Sequence, residues 1–225
     1  LDSYIKQYGG KAWVLQLLHD YYPKLRQYLA PASIVSHGSK VTKEVYKVLI
    51  DSRKTFGSSD ILVRSSHHKD RFGLVDFLPT IMIPDSARER SNEPEEFQDV
   101  LDYRIENAFS THNKKYAKEL HYLLVPRIQH ALYTITEHPN QHDHLFVDTG
   151  EIWNYYGRST TDVIWDNIIW LEWYPDTSAI KKTVSLIQVL RMLKIFKEED
   201  KLQYEIAIAK NGMPYIFQIR KFSDT

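Results

Sequence analysis

The sequence predicts an α+β fold in two lobes, with mainly antiparallel sheets and flanking helices. Helical and strand-like segments alternate irregularly along the 225 residues, which does not fit the regular repeat of a parallel sheet. The last two strand-like segments flank Asn211-Gly212, a dipeptide typical of antiparallel hairpins. We expect a single domain over residues 1–225, with lobe one at about 1–90, lobe two at about 91–225 and the boundary between residues 84 and 122.

The first part of the chain contains two predicted helices and three predicted strands. Apolar residues at helical spacing predict a helix over residues 10–30, broken or kinked at Pro23. The strand ASIVS follows, and then a helix that begins at Thr42, a suitable N-cap residue. The apolar segments DILVRSS and FLPTIMI are typical of buried strands.

The second part repeats this mixture. A long amphipathic helix is expected from Glu95 to about Leu120. The segments HYLLVPRIQ, ALYTITE and DHLFVDTGE then predict three strands. The segment DTSAIKKTVSLIQVLRMLKIFKEE is the strongest helix signal in the chain, and it leads directly into the hairpin of residues 204–222.

The hairpin turn predicts the register of its two strands. A type I′ turn needs two loop residues with positive φ, and Asn211 and Gly212 both tolerate that conformation. Ala209 then faces Pro214 in a pair without ladder hydrogen bonds, so the missing N–H of proline removes no bond.

The same count places Glu205 directly opposite Gln218 on one face of the sheet, and Arg220 two residues on shares that face. Two interpretations remain open from the hairpin alone. The polar face is either a solvated surface or part of a ligand site. The opposite face carries the apolar residues Tyr204, Ile206, Phe217 and Ile219.

Composition limits the function classes. Equal numbers of basic and acidic residues, 29 each, give no indication of nucleic acid or of an anionic membrane as a partner. The absence of cysteine excludes disulfides and thiolate metal sites and fits a reducing compartment. No apolar run approaches a membrane span and no signal peptide opens the chain, so we expect a cytoplasmic protein without membrane contact.

Two basic residues lie where a rigid scaffold can present them to a ligand. Lys11 follows Gly9-Gly10 at the expected start of a helix, where its ammonium and unpaired backbone N–H groups could both face an anion. Arg64 follows the apolar residues of a strand, so its guanidinium needs either a phosphate or an acidic neighbour.

Other chemistry receives less support. The histidines, including His67-His68 and the HPNQHDH segment, lack the helical spacing of a zinc site. Neither a G-x-S-x-G elbow nor a Walker A loop is present. The aromatic residues of the segment 153–174 favour a core, or alternatively a carbohydrate- or protein-binding surface.

Taken in order, these segments resemble the nucleotide-binding domain of the pyruvate phosphate dikinase and phosphoenolpyruvate synthase family, an ATP-grasp fold. The resemblance spans nearly the whole chain and rests on the ordered set, because no single motif in it is specific. The segments that carry it are YGGKAWVLQLL, IVSHGSKVTKEVY, ILVRSS, FGLVDFLPT, LLVPRIQ, ALYTITEHP, YEIAI and FQIRK.

The resemblance implies ATP and Mg²⁺ as cofactors and assigns a role to each candidate residue. Lys11 and Arg64 would contact the ATP phosphates, Glu205 and Gln218 would hold Mg²⁺, and Arg220 would contact phosphate near the transferred group. Arg64, Arg220 and Glu205 would be the catalytic residues. The segment 125–128 would line the adenine slot through Val125, Arg127 and Ile128.

The implied activity is transfer of a phosphoryl group from ATP to a histidine, or to another acceptor, on a separate domain or on a partner protein. Three departures from the family pattern leave a second interpretation open: Lys69-Asp70 after VRSS, Pro126 in the hinge, and no glycine-rich stretch before the final helix. In that alternative the chain is a catalytically degenerate ATP-grasp relative that senses a nucleotide or binds a partner.

Overall fold

The computed structural model describes residues 2–36, 42–57, 60–68, 81–83, 121–128, 132–137, 145–148 and 177–221. The chain divides into two compact units, residues 1–127 and 128–225. The helix expected over 95–120, the Lys69-Asp70 departure and the aromatic segment 153–174 lie outside the described residues. That the two units are the lobes of one nucleotide-binding domain stays a prediction.

The first unit contains a four-stranded antiparallel sheet. Its strands are β1 (Ser33–Ser36), β2 (Ile61–Ser66), β3 (Ile81–Ile83) and β4 (His121–Pro126), in the order β1-β4-β2-β3. Strand β4 pairs with both β1 and β2, which places it in the first unit although it lies far along the chain.

Helix α1 (Asp2–Tyr21) begins eight residues before the predicted start and ends before Pro23, where a 3₁₀ helix (Pro23–Tyr28) takes over. It is kinked at Gly9, whose φ of 77° and ψ of 170° are not helical. The Tyr4 hydroxyl donates to Asp20 Oδ2 at 2.9 Å, although 16 residues of straight helix span about 24 Å. The segment before Gly9 therefore folds back along the rest of the helix.

Helix α2 (Thr42–Phe56) begins where the Thr42 signal predicts. It packs against β4, β1 and β2, and α1 packs against β2 and β4. Both helices contribute apolar side chains to the core of the first unit, which includes Ala12, Val14, Leu18, Val45, Val48, Ile61, Val63, Leu123 and Leu124.

The second unit contains a second four-stranded antiparallel sheet. Its strands are β5 (Leu132–Glu137), β6 (Leu145–Asp148), β7 (Leu202–Ile208) and β8 (Pro214–Lys221), in the order β6-β5-β7-β8. Helix α3 (Thr177–Met192) contacts β8. All the strands that the sequence predicts among the described residues are present, which confirms an α+β fold with antiparallel sheets.

The hairpin turn differs from the prediction. Ala209 N–H donates to the Met213 carbonyl at 3.0 Å, so the loop contains three residues and not two. Gly212 has a φ of 71°, and Asn211 does not have a positive φ. Instead the Asn211 side chain accepts a hydrogen bond from Met213 N–H at 3.0 Å. The expected type I′ turn is therefore wrong, and the loop has the positive-φ glycine typical of three-residue hairpins.

The register beyond the turn contains a compensating irregularity. Near the loop Pro214 pairs with Ile208, not with Ala209, and Ile216 pairs with Ile206 where Phe217 was expected. The pairing shifts by one residue between Glu205 and Ile206, and Phe217 is the extra residue of β8. One additional loop residue and one additional strand residue cancel, so the pairing from Glu205 onwards is the predicted one.

An ion pair and hydrogen bonds hold the connection between α3 and β7 against β8. Lys221 Nζ lies 2.7 Å from Asp200 Oδ2, and Lys197 N–H donates to the same carboxylate at 3.0 Å. Arg191 donates to the Asp200 carbonyl. Burial alone would raise the pKa of the Asp200 carboxyl. The hydrogen bonds from Lys221 and Lys197 outweigh burial and hold this pKa below its usual value.

Candidate functional site

The polar side chains of the hairpin lie on one face of the second sheet, as the register predicts. Glu205 pairs with Gln218, and Gln203 pairs with Arg220. Directly opposed residues of antiparallel strands point to the same side, about 5 Å apart. The apolar partners on the other face, Tyr204, Ile206, Ile216 and Ile219, are buried. The structure therefore brings together Glu205, Gln218 and Arg220, three of the predicted site residues.

Gln218 provides the strongest indication of a ligand. Its side chain is 2% exposed, and its Oε1 has no hydrogen-bond partner. A buried amide oxygen without a partner costs about 1–3 kcal/mol, so such atoms are rare in folded proteins. The interpretation of this face as a solvated surface does not fit, because solvent does not reach Gln218.

The same row continues onto the neighbouring strands. Glu205 pairs with Thr134 of β5, and Thr134 pairs with Asp148 of β6. Positions 148, 134, 205 and 218 thus form one row across all four strands. Asp148 was not among the site residues predicted from the sequence. The acidic residue at the end of the strand LFVD could have been noted as a candidate ligand. Its alignment with the hairpin depends on the pairings of β6 with β5 and of β5 with β7, which cannot be counted from the hairpin turn.

These residues fit a magnesium ion that also binds phosphate. Mg²⁺ prefers oxygen ligands and is usually held by one or two carboxylates together with substrate phosphates. Glu205 supplies a carboxylate, and the unpartnered Gln218 Oε1 supplies a carbonyl oxygen. Among the described residues no cluster of three or more His, Asp or Glu side chains could hold a metal by itself.

Arg220 lies at the open end of this face. Its side chain is exposed, and its Nε donates a hydrogen bond to Gln203 Oε1. Gln203 was likewise not among the site residues predicted from the sequence. A guanidinium held beside the Glu205–Gln218 pair suits an anionic ligand, since it carries a permanent charge and several N–H donors.

Lys11 and Arg64 lie in the first unit. The backbone N–H of Gly10 donates to the His67 carbonyl at 2.7 Å, and those of Lys11 and Ala12 donate to Ser66 Oγ at 3.1 and 3.2 Å. The expectation that these N–H groups are unpaired and face an anion is therefore wrong. Phosphate binding by the Lys11 side chain itself stays a prediction.

Arg64 occupies the middle of β2, opposite Leu123, and is half-buried. It lies two residues before Ser66, and alternate residues of a strand share one face. Because Ser66 caps the helical turn that contains Lys11, positions 11 and 64 lie on the same side of the first sheet. Phosphate binding by the Arg64 side chain, like that by Lys11, stays a prediction.

The segment 125–128 ends β4. Val125 is buried opposite Leu62, and the Arg127 N–H donates to the Asp60 carbonyl at 2.9 Å. The Arg127 guanidinium lies 3.7 Å from the Asp60 carboxylate. The N–H of Arg127 therefore already has an acceptor, and a base bound here would use other backbone groups, such as those of Ile128.

The described histidines of the first unit form no metal centre. His67 is buried, and its ring lies 4.1 Å from that of His68. Desolvation lowers the pKa of the half-buried His121. The three histidines of the HPNQHDH segment lie outside the described residues.

Within the described residues no helix has both the length and the apolarity that a membrane crossing requires.

Comparison with known proteins identifies the fold. The chain superposes on D-cycloserine synthetase DcsG with a TM-score of 0.50 and 12% sequence identity, covering 95% of this chain and 62% of that one. The D-alanyl-alanine synthetase A of Vibrio cholerae has a TM-score of 0.48, 12% identity and coverages of 96% and 55%. The L-amino acid ligase of Bacillus licheniformis has a TM-score of 0.47, 11% identity and coverages of 96% and 43%.

No protein-family model matches the sequence. No curated protein matches it either. The chain has an ATP-grasp fold, as the sequence resemblance implied. The neighbour with a TM-score of 0.50 is named a synthetase, and it gives no support to the narrower resemblance to the dikinase family. The chain spans less than two thirds of the length of each of these three structural neighbours.

Proposed function

We propose that this chain is the ATP-binding part of an ATP-dependent ligase or synthetase. The observation that carries the proposal is the buried, unpartnered Gln218 Oε1 beside Glu205, on the polar face of the second sheet. A carboxylate, an amide oxygen and a guanidinium on one face provide ligands for a cation and for the phosphates that it accompanies.

The proposed roles follow the chemistry of each group. Glu205 and Gln218 hold Mg²⁺, which neutralises charge on the phosphates when bound. Arg220 binds the phosphate nearest the transferred group. The predictions that Lys11 and Arg64 bind phosphate, and that Val125, Arg127 and Ile128 line an adenine site, stand separately from this cation site.

The proposed reaction is transfer of the terminal phosphoryl group to a carboxylate oxygen of a small substrate. A bond forms between that oxygen and the γ-phosphorus, the bond from the γ-phosphorus to the β,γ-bridging oxygen breaks, and ADP leaves. The protein contributes position and charge, since such transfers need little covalent work from side chains. The name synthetase of the neighbour DcsG favours a small acceptor, and no observation favours a histidine on a separate domain.

Thermal unfolding with a nucleotide panel tests the proposal. A ligand at 100 times its dissociation constant stabilises the native state by about 2.7 kcal/mol, which raises the Tm by several degrees. We expect ATP and ADP to raise the Tm with Mg²⁺ present and AMP to have little effect. No shift at millimolar ATP would remove the nucleotide-binding function.

The variant Glu205→Gln isolates the cation site. We expect it to fold, to lose the part of the shift that depends on Mg²⁺, and to form no ADP from ATP with any carboxylate acceptor. Glu198→Gln is the matched control, because Glu198 is an exposed acid of the same unit. Turnover that survives Glu205→Gln would contradict the proposed role, and ATP binding by the unaltered chain without any turnover would match the nucleotide-sensing alternative.

A further inference from the structure

The Gln203–Arg220 pair has a geometry that suggests a role for the glutamine. The two residues face each other across β7 and β8, and Arg220 Nε donates to Gln203 Oε1. The acceptor is a neutral amide. A carboxylate in its place would hold the guanidinium equally well, but it would also cancel its charge.

This contact fixes one end of the guanidinium and leaves the other end available. Arginine has five N–H donors in a planar fork, and Nε accounts for one of them. Among the described residues neither Nη group of Arg220 has a hydrogen-bond or ion-pair partner. The bond from Nε thus limits the orientations open to an exposed arginine, and N–H donors on its Nη groups stay available to a ligand.

The position of the Gln203–Arg220 pair suggests which part of a ligand the Nη groups contact. The Gln203–Arg220 pair lies two residues along the strands from Glu205–Gln218, which is about 7 Å. If Glu205 and Gln218 held Mg²⁺, the ion would neutralise charge on the nucleotide phosphates, and Arg220 on the same face would be available to the terminal phosphate.

We propose that Gln203 is a positioning residue that orients Arg220 toward the terminal phosphate of ATP, without contacting the nucleotide itself. The neutral amide keeps the full positive charge of the guanidinium for that phosphate. This proposal rests on the proposed function, and it predicts that the pair distinguishes ATP from ADP, which lacks the γ-phosphate.

Calorimetric titration with MgATP and with MgADP tests the role. We expect Gln203→Met, which keeps the side-chain length but removes the acceptor, to weaken MgATP about fivefold to tenfold and to leave MgADP within about twofold. Arg220→Met should weaken MgATP by about 10- to 100-fold. The double variant should bind MgATP no more weakly than Arg220→Met, because Gln203 acts only through the arginine.

Two further variants complete the test. Gln203→Glu keeps an acceptor oxygen but adds a negative charge, and we expect it also to lower the ratio of ATP to ADP affinity. Gln188→Met makes the same change as Gln203→Met at an exposed position of α3 and should leave both affinities unchanged.

The outcomes separate this proposal from the proposed function. Equal losses for ATP and ADP in Gln203→Met, an additive loss in the double variant, or an unchanged affinity ratio in Gln203→Glu would each overturn the positioning role, while nucleotide binding would stand. If the unaltered chain binds neither nucleotide, the proposed function fails and the positioning role fails with it.

Discussion

Lys194 adopts a backbone conformation that favours glycine. Its φ is 53°, and it is the only described residue other than glycine with a positive φ. It follows the end of α3, where Lys194 N–H donates to the Arg191 carbonyl at 3.2 Å. Helices commonly end with a residue in the left-handed conformation, and that residue is usually glycine. A residue with a Cβ adopts the left-handed conformation at a cost in free energy.

Lys194→Gly should therefore stabilise the protein. We expect the free energy of unfolding to rise by about 0.5 kcal/mol, because relief of the left-handed strain exceeds the entropy cost of glycine. Urea unfolding measures the change. Lys182→Gly, at an exposed position inside the same helix, should lower the free energy by about 1 kcal/mol, and a loss at both positions would contradict this account.

Gln218 was singled out in the sequence as a polar residue among apolar neighbours. Its pairing with Glu205 agrees with the count from the predicted turn only because the extra loop residue and the extra strand residue offset each other. Its burial and its unpartnered oxygen could not be predicted. Both depend on how the rest of the chain covers the sheet, which no local pattern encodes.

At the scale of elements, Ser66 joins α1 to the first sheet. Its Oγ accepts from the N–H groups of Lys11 and Ala12 and donates to the Tyr8 carbonyl at 2.9 Å. Gly9 makes this contact possible, because a Cβ there would lie 2.4 Å from the Ser66 carbonyl carbon. The cap of the helical turn after the kink thus comes from a strand more than 50 residues away.

The neighbouring serine provides a matched comparison. Ser65 is equally buried, but its Oγ has no hydrogen-bond partner. We expect Ser66→Ala to lower the free energy of unfolding by about 2 kcal/mol, since it leaves two helix N–H groups without an acceptor. Ser65→Ala should be neutral or slightly stabilising. Similar losses for the two variants in urea unfolding would contradict the capping role.

The sequence predicted the described strands well and the first helix poorly. The strands are short apolar runs between polar segments, and that pattern survives in the structure. For α1 the Gly9-Gly10 dipeptide suggested a helix start at residue 10, but the structure places a kink there. The contact with Ser66 holds that kink, and contacts at long sequence separation cannot be predicted from spacing.

At the scale of the whole molecule, the stability of the protein in acid depends on carboxylates whose pKa differs between the folded and unfolded states. The chain has no formal net charge at pH 7. Asp200 is the best example of such a carboxylate among the described residues. Its bonds to Lys221 and Lys197 depress its pKa in the folded state. A carboxylate of this kind contributes stability above its unfolded pKa of about 4, and that contribution is lost as the pH falls through the folded pKa.

Asp200→Asn should lower the free energy of unfolding by about 1 kcal/mol at pH 7, a modest value because Lys221 is 42% exposed. The difference from the unaltered protein should shrink below about pH 4. Thermal unfolding followed by circular dichroism from pH 2 to pH 8 measures it. Glu199→Gln is the control, since its ion pair with Lys197 is exposed and should contribute little at any pH.

The extra residue at Phe217 makes this position of the outer strand tolerant of a deletion. Ile216 pairs with Ile206 and Gln218 pairs with Glu205, so removing Phe217 would eliminate the bulge and leave both pairs in place. Homologous chains should therefore be able to lose this residue while the amide and the guanidinium stay on the polar face.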